Sequence, residues 1–93
     1  MKKNKPQIRI ISVDHERTSS VETVLRHAFA RRNLDNCPVH CVFCHLEAGR
    51  CGVQSGTVAV EVDGVVVWAG AGMDEAMADT FCTALERWMV RQD

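Results

Sequence analysis

The sequence predicts an α/β fold, a two-layer β-α-β-β-β-α sandwich with a mixed four-stranded sheet and two helices. Three observations predict it. A β-branched run at 7–13 is followed by an amphipathic segment of helical period. Asp63-Gly64 separates two valine-rich runs, and a second amphipathic segment spans about 75–91. Packing both helices on one sheet is the simplest way to bury these apolar faces.

The first strand is "QIRIISV", and "SSVETVLRHAFARRN" follows it with one apolar stripe at helical spacing. Ser19 and Glu22 match a capping box, which predicts that this helix begins near Ser20. The stripe consists of Val21, Val24, Leu25, Ala28 and Phe29.

"VHCVFCHL" (39–46) has strand composition, and "EAGRCGVQSG" (47–56) contains three glycines and reads as a loop. A strand-helix-strand unit makes the first two strands parallel.

The segment "TVAVEVDGVVVWAG" predicts a hairpin with a two-residue turn, because both central residues of that turn need positive φ. Asp74 can cap the last helix. Its predicted buried side comprises Met77, Ala78, Phe81, Cys82, Leu85, Trp88 and Met89.

The chain has 93 residues, so we expect one α/β domain at 7–93 after a flexible basic tail at 1–6. A net charge of −1 gives no indication of a basic surface for nucleic acid. No apolar run is long enough to span a membrane. An odd cysteine count argues against a disulfide framework, which predicts reduced thiols and a cytoplasmic location.

The order strand, helix, strand, then "SGTVAVEVDGVVVWAG" and a closing helix resembles small thioredoxin-like proteins of the selenoprotein W type. The resemblance implies a thioredoxin-like fold. The family's redox motif, Cys-x-x-Cys or Cys-x-x-Sec, lies between the first strand and the first helix. Here that position reads "DHERTSS" (14–20), so this chain lacks the standard redox pair.

Four of the five cysteines lie in "CPVHCVFCHLEAGRC" (37–51), which raises the possibility of a metal site. If 39–46 is a strand, Cys41 and Cys44 point to opposite faces and cannot share an ion. We therefore interpret these cysteines as buried and structural, and we expect no cofactor. A metal site formed by Cys44, His45 and Cys51 remains the alternative.

A second candidate site lies where the two parallel strands end, the usual place for sites in α/β sheets. There Cys51 could act as a nucleophile with His15 as its base, which would make the chain a thiol-dependent enzyme. We expect Arg50 and a nearby helix N-terminus to lower the pKa of Cys51. The same edge should also gather Asp14, Glu16, His45 and Glu47.

The hairpin register predicts that one face of the sheet stays open. With Val62 opposite Val65, the residues Glu61, Val66 and Trp68 should share the face away from the helices. This open face is the predicted interface for a protein partner or for a homo-oligomer.

The leading functional hypothesis is a small cytosolic binding or adaptor domain, with a thiol-redox setting left open. The alternatives are the thiol enzyme of Cys51 and His15, and the Cys/His metal-binding protein. Whether the chain is an enzyme at all stays undecided by these residues.

We predict no stoichiometric zinc or iron in protein purified without chelator, because strand alternation separates Cys41 from Cys44. Elemental analysis of the purified chain measures this directly. About one equivalent of either metal, lost together with the fold on chelation, would contradict the prediction and indicate a closed structural site.

Overall fold

In the computed structural model, which describes residues 6–34, 37–53 and 56–91, strand β1 (Ile8–Ile11) lies inside a four-stranded sheet. It pairs in parallel with β2 (Val39–Val42) and antiparallel with β3 (Val58–Val62). Strand β4 (Val65–Gly70) pairs antiparallel with β3, so the order is β2-β1-β3-β4. The predicted α/β class with a mixed sheet is confirmed.

The predicted basic tail falls almost wholly on residues 1–5, which lie outside the described residues, while Pro6 is buried. Among the helices that the structure describes, none is long and apolar enough to cross a membrane.

Helix α1 (His15–Arg31) begins five residues before the predicted start near Ser20, so that prediction is wrong. Asp14 is the N-cap: its Oδ1 accepts a hydrogen bond from the backbone N–H of Arg17 at 3.1 Å. Ser12 in turn donates its hydroxyl to the Thr57 carbonyl and accepts the Asp14 N–H, which ties this cap to the sheet. The capping-box pattern at Ser19 lies inside the helix.

A third helix, α2 (His45–Arg50), occupies the segment predicted as the end of a strand and the start of a loop. The expectation of two helices is therefore wrong. Strand β2 ends at Val42, and Cys44 is the N-cap of α2 instead of a strand residue. Of the predicted loop, residues 54 and 55 lie outside the described residues.

The hairpin between β3 and β4 turns at Asp63 and Gly64, which have φ of 50° and 88°, as predicted. However, the register shifts between Val60 and Glu61, so that Val60 pairs with Trp68 and Glu61 with Val66. Such a bulge inserts one residue and reverses the faces of the side chains beyond it. Trp68 therefore lies on the face of Val60, and the prediction that it shares a face with Glu61 is wrong.

Helix α3 (Glu75–Arg91) begins after Asp74, whose Oδ1 accepts the Met77 N–H at 2.8 Å, as predicted. It packs beside α1, and ion pairs from Arg31 to Asp79 and from Arg32 to Glu86 join the two helices. Most of the predicted stripe is buried, but Met77 is exposed. The core between these helices and the sheet includes Ile8, Ile10, Val21, Leu25, Phe29, Val58, Val60, Phe81, Cys82 and Leu85.

The true start of α1 can be tested by two matched alanine substitutions. Asp14→Ala should destabilise the protein by about 1 kcal/mol, because the Arg17 N–H loses its capping oxygen. Ser19→Ala, inside the helix, should change the free energy of unfolding by less than about 0.5 kcal/mol. Urea unfolding followed by circular dichroism compares the two, and a larger loss for Ser19→Ala would contradict the observed helix start.

Candidate functional site

The face of the sheet opposite α1 and α3 carries a polar cluster beneath α2, which we call the α2 cluster: Arg9, Glu47, Arg50, Cys51 and Glu61. Arg9 lies directly opposite Glu61 across the β1–β3 ladder. Its Nη1 donates to Glu61 Oε1 and its Nη2 to Glu47 Oε1, each at 2.9 Å. One guanidinium therefore joins two strands and the helix.

Glu61 is the buried member of this cluster, with 3% of its side chain exposed. A buried carboxylate is costly unless charged or hydrogen-bonding groups surround it. Here Oε1 accepts from Arg9, and Oε2 accepts from the Cys51 thiol at a donor–acceptor distance of 3.2 Å. Both carboxylate oxygens are thus satisfied from different elements.

Glu47 fastens α2 to the sheet. It accepts from Arg9 and also from Arg50 one turn further along the helix. The hydrogen bond from Arg9 and then that from Arg50 hold the pKa of Glu47 below its ordinary value. The same contact raises the pKa of Arg9, against the opposing effect of burial.

The Cys51 thiol sits in surroundings that disfavour its ionised form. Burial is the main cause that raises its pKa, and the hydrogen bond to Glu61 adds to it. Arg50 acts in the opposite direction but is outweighed. Arg50 thus acts in the expected direction, but the net lowering of the Cys51 pKa that we expected is wrong, because burial and the hydrogen bond to Glu61 outweigh it.

The structure gives His15 and Cys51, the predicted catalytic pair, different neighbours. His15 is exposed at the start of α1, and its ring stacks on Phe43 with centroids 3.8 Å apart. Cys51 follows the last residue of α2 and contacts Glu61 on β3. None of the contacts described for either residue joins the imidazole to the thiol.

The alternative metal ligands are spread along α2. Cys44 precedes the helix, His45 begins it, and Cys51 follows its six residues. At a rise of about 1.5 Å per residue, the two cysteines lie roughly 10 Å apart along the axis. Within 6–34, 37–53 and 56–91, no three His, Cys, Asp or Glu side chains are grouped so that they could hold a metal ion.

The remaining cysteines are held in or beside the core. Cys37 and Cys82 are buried, and Cys41 packs against the core from β2. Burial raises the pKa of Cys82 to about 11, and burial together with a hydrogen bond to Glu22 raises that of Cys41 to about 11. Cys41, Cys44, Cys51 and Cys82 form no disulfide within the described residues, and Cys37, Cys41 and Cys82 have structural surroundings.

A second feature, which we call the β4 groove, lies between β4 and α3 and has a volume of about 910 Å³. Its apolar lining comes from the strand on one side and the helix on the other. Asp74 and Arg87 also line it, near the two ends of the α3 segment that contributes to the groove. The main apolar lining residues are Val65, Val67, Trp68, Met77, Phe81 and Trp88.

The structure does not bring the three predicted interface residues together. Trp68 lines the β4 groove, Glu61 is buried in the α2 cluster, and Val66 shares the face of Glu61 but is exposed. The open sheet face predicted from the simple register is therefore covered in part by α2. Within the strands of the sheet, the exposed large apolar side chains are those of β4, Val65, Val66 and Val67.

Arg9 is the residue of the α2 cluster that sequence reasoning missed. A signal was present: Arg9 and Glu61 are the single charges in two otherwise apolar strands, "IRII" and "VAVEV". Opposite charges in neighbouring central strands favour a cross-strand pair.

Comparison with known proteins yields no match: no family model, no curated protein sequence and no solved structure is similar to this chain.

The contact between Cys51 and Glu61 predicts how the thiol responds to a neutral neighbour. Glu61→Gln should lower the pKa of Cys51 and speed its alkylation at pH 7 to 8, because the thiolate then forms without a second negative charge beside it. Site-resolved mass spectrometry after brief iodoacetamide labelling across pH measures this. Glu86→Gln, on α3, is the control and should leave the Cys51 profile unchanged; an unchanged profile in Glu61→Gln would contradict the assigned cause.

Proposed function

We propose that this chain is a small protein-binding domain that uses the β4 groove together with the free edge of β4. The observation that supports the proposal is an edge strand with no charged residue, "VVVWAG", standing beside an apolar groove. The strand offers backbone hydrogen bonds, and the groove offers apolar area for side chains.

Strand β4 exposes large apolar side chains to water, which is unusual for an edge strand. Val65 is 63% exposed and Val67 53%, and Met77 across the groove is 46% exposed. Adjacent exposed apolar groups of this kind mark interaction sites more often than scattered ones do. Trp68 and Trp88 add aromatic surface, and aromatic residues often dominate binding energy at interfaces.

The arrangement of elements supports a thioredoxin-like fold of the selenoprotein W type as part of this proposal. Support comes from the parallel β1–α1–β2 unit followed by the β3–β4 hairpin and a closing helix, with α2 as an addition. The connection from β1 to α1, residues 12–14, contains no cysteine. A binding role without the standard redox pair fits this chain better than dithiol exchange.

The proposal places the domain in a reducing compartment such as the cytoplasm, since Cys41, Cys44, Cys51 and Cys82 form no disulfide within the described residues. The thiol enzyme of Cys51 and His15 has less support. Burial and Glu61 raise the pKa of Cys51, so little thiolate would form near neutral pH.

The test uses a photoreactive residue in place of Met77, in cells that produce the protein, with the same residue at Leu46 as a control outside the groove. Leu46 is the more exposed side chain, at 84%. A protein captured from position 77 but not from 46 is identified by mass spectrometry, purified and titrated against the unmodified chain.

We expect Met77→Glu to weaken that binding at least about tenfold, because a charge would then occupy an apolar contact. Leu46→Glu should change affinity by less than about twofold. If the purified partner binds Met77→Glu as tightly as the wild type, or if position 77 captures nothing, the proposed function is contradicted.

A further inference from the structure

We infer that the partner of the β4 groove is a second copy of this chain, whose β4 pairs antiparallel with this one about a two-fold axis. The inference rests on the proposed function and deepens it, because it names the occupant of that surface. It depends on the free edge of β4, on the placement of α3 and on two charges.

The free edge is the first reason. Strand β4 ends the order β2-β1-β3-β4, so only one of its edges is paired within this sheet. Monomeric proteins usually protect such an edge with lysine, proline, an inward-pointing charge or a β-bulge. Between Val65 and Gly70 there is no charge and no proline, and beside the single bulge Val65, Val66 and Val67 are all exposed. An antiparallel copy of the same strand would complete the hydrogen bonding of both edges.

The placement of α3 is the second reason. A two-fold axis perpendicular to the sheet keeps α3 of both copies on the same face. The two grooves then face each other across the joined strands, so that Met77 and Trp88 of each copy approach those of the other. Apolar surface that one copy exposes is buried by the same surface of its partner, as in an isologous interface.

Charge complementarity is the third reason, and it favours self-pairing over a foreign strand. Asp74 and Arg87 both line the groove, near the two ends of the α3 segment that contributes to it. The helix places them about 20 Å apart. Strand β4 has six residues, which span about 20 Å. Antiparallel pairing centred on β4 therefore brings Arg87 of each copy to the Asp74 end of the other, giving two equivalent ion pairs.

No ion pair to Arg87 occurs within the described residues, and Asp74 uses Oδ1 to cap α3. Both groups are exposed. Each therefore has charge available for a partner without disturbing the fold of its own copy.

The first experiment is sedimentation equilibrium of the full chain over a wide concentration range. We expect a reversible monomer–dimer equilibrium. Val67→Lys should raise the dissociation constant at least about tenfold, because Val67 lies near the middle of β4 and the two introduced charges would face each other at the axis. Leu46→Lys is the matched control and should leave the dissociation constant unchanged. Circular dichroism verifies that both variants are folded.

The second experiment tests the antiparallel arrangement itself. Arg87→Glu should raise the dissociation constant about tenfold, since it replaces two attractions by two repulsions with Asp74. Adding Asp74→Asn to Arg87→Glu should recover part of the loss, because asparagine keeps the helix cap but removes the opposing charge. No recovery in the double variant would overturn the antiparallel pairing.

Failure of this inference can be told apart from failure of the proposed function. A chain that stays monomeric at every concentration, yet binds a foreign protein through Met77, overturns the second copy and leaves the binding function intact. A dimer that is indifferent to Val67→Lys also overturns the inference. Monomeric protein with no partner captured at position 77 overturns both.

Discussion

The side of the molecule opposite α1 and α3 depends on the ion pairs that the Arg9 guanidinium forms. The guanidinium bridges Glu61 on β3 and Glu47 on α2, so that one side chain neutralises a buried carboxylate and holds a short helix against the sheet. A six-residue helix has too few internal hydrogen bonds to be stable alone. Its order therefore follows from these tertiary ion pairs, which in turn let Ile11 and Ala59 be fully buried on that face.

The register shift in the hairpin determines what the opposite side of the molecule offers to a partner. Without it, Trp68 would lie with Glu61 on the α2 face. With it, Trp68 lies under α3 and becomes one wall of the β4 groove. The shift also increases the local twist of an edge strand. One inserted residue thus determines on which face of the sheet Trp68 lies.

The surroundings of the cysteines also disfavour the metal binding or thiol reactivity that their spacing suggests. The α2 cluster that orders the helix partly buries Cys51 beside Glu61, and burial together with that carboxylate stabilises its protonated thiol. Cys37 and Cys82 are buried in the hydrophobic core. A thiolate needs solvent or positive charge, whereas these thiols have apolar surroundings or acidic neighbours. Exposed apolar surface is therefore a stronger basis for function in this molecule than thiol reactivity.

Local signals were sufficient wherever a feature depends on neighbours in sequence. Asp63-Gly64 predicted the turn, Asp74 the cap of α3, and the spacing of Val21, Leu25 and Phe29 the buried stripe of α1. Each depends on backbone conformation or periodicity within a few residues. The start of α1 was misjudged because two capping patterns compete. Asp14 is the N-cap, and its backbone N–H is held by the Ser12 hydroxyl, which donates to the carbonyl of Thr57 just before β3.

By itself, then, the sequence determined the α/β class, the parallel pairing of β1 with β2, the hairpin turn and the apolar faces of the two long helices. Only the tertiary structure decided the existence of α2, the face of Trp68, the β4 groove and the surroundings of Cys51. The physical reason is distance along the chain. Arg9 meets Glu47 and Glu61 across 38 and 52 residues, and no local propensity records which charges will become neighbours after folding.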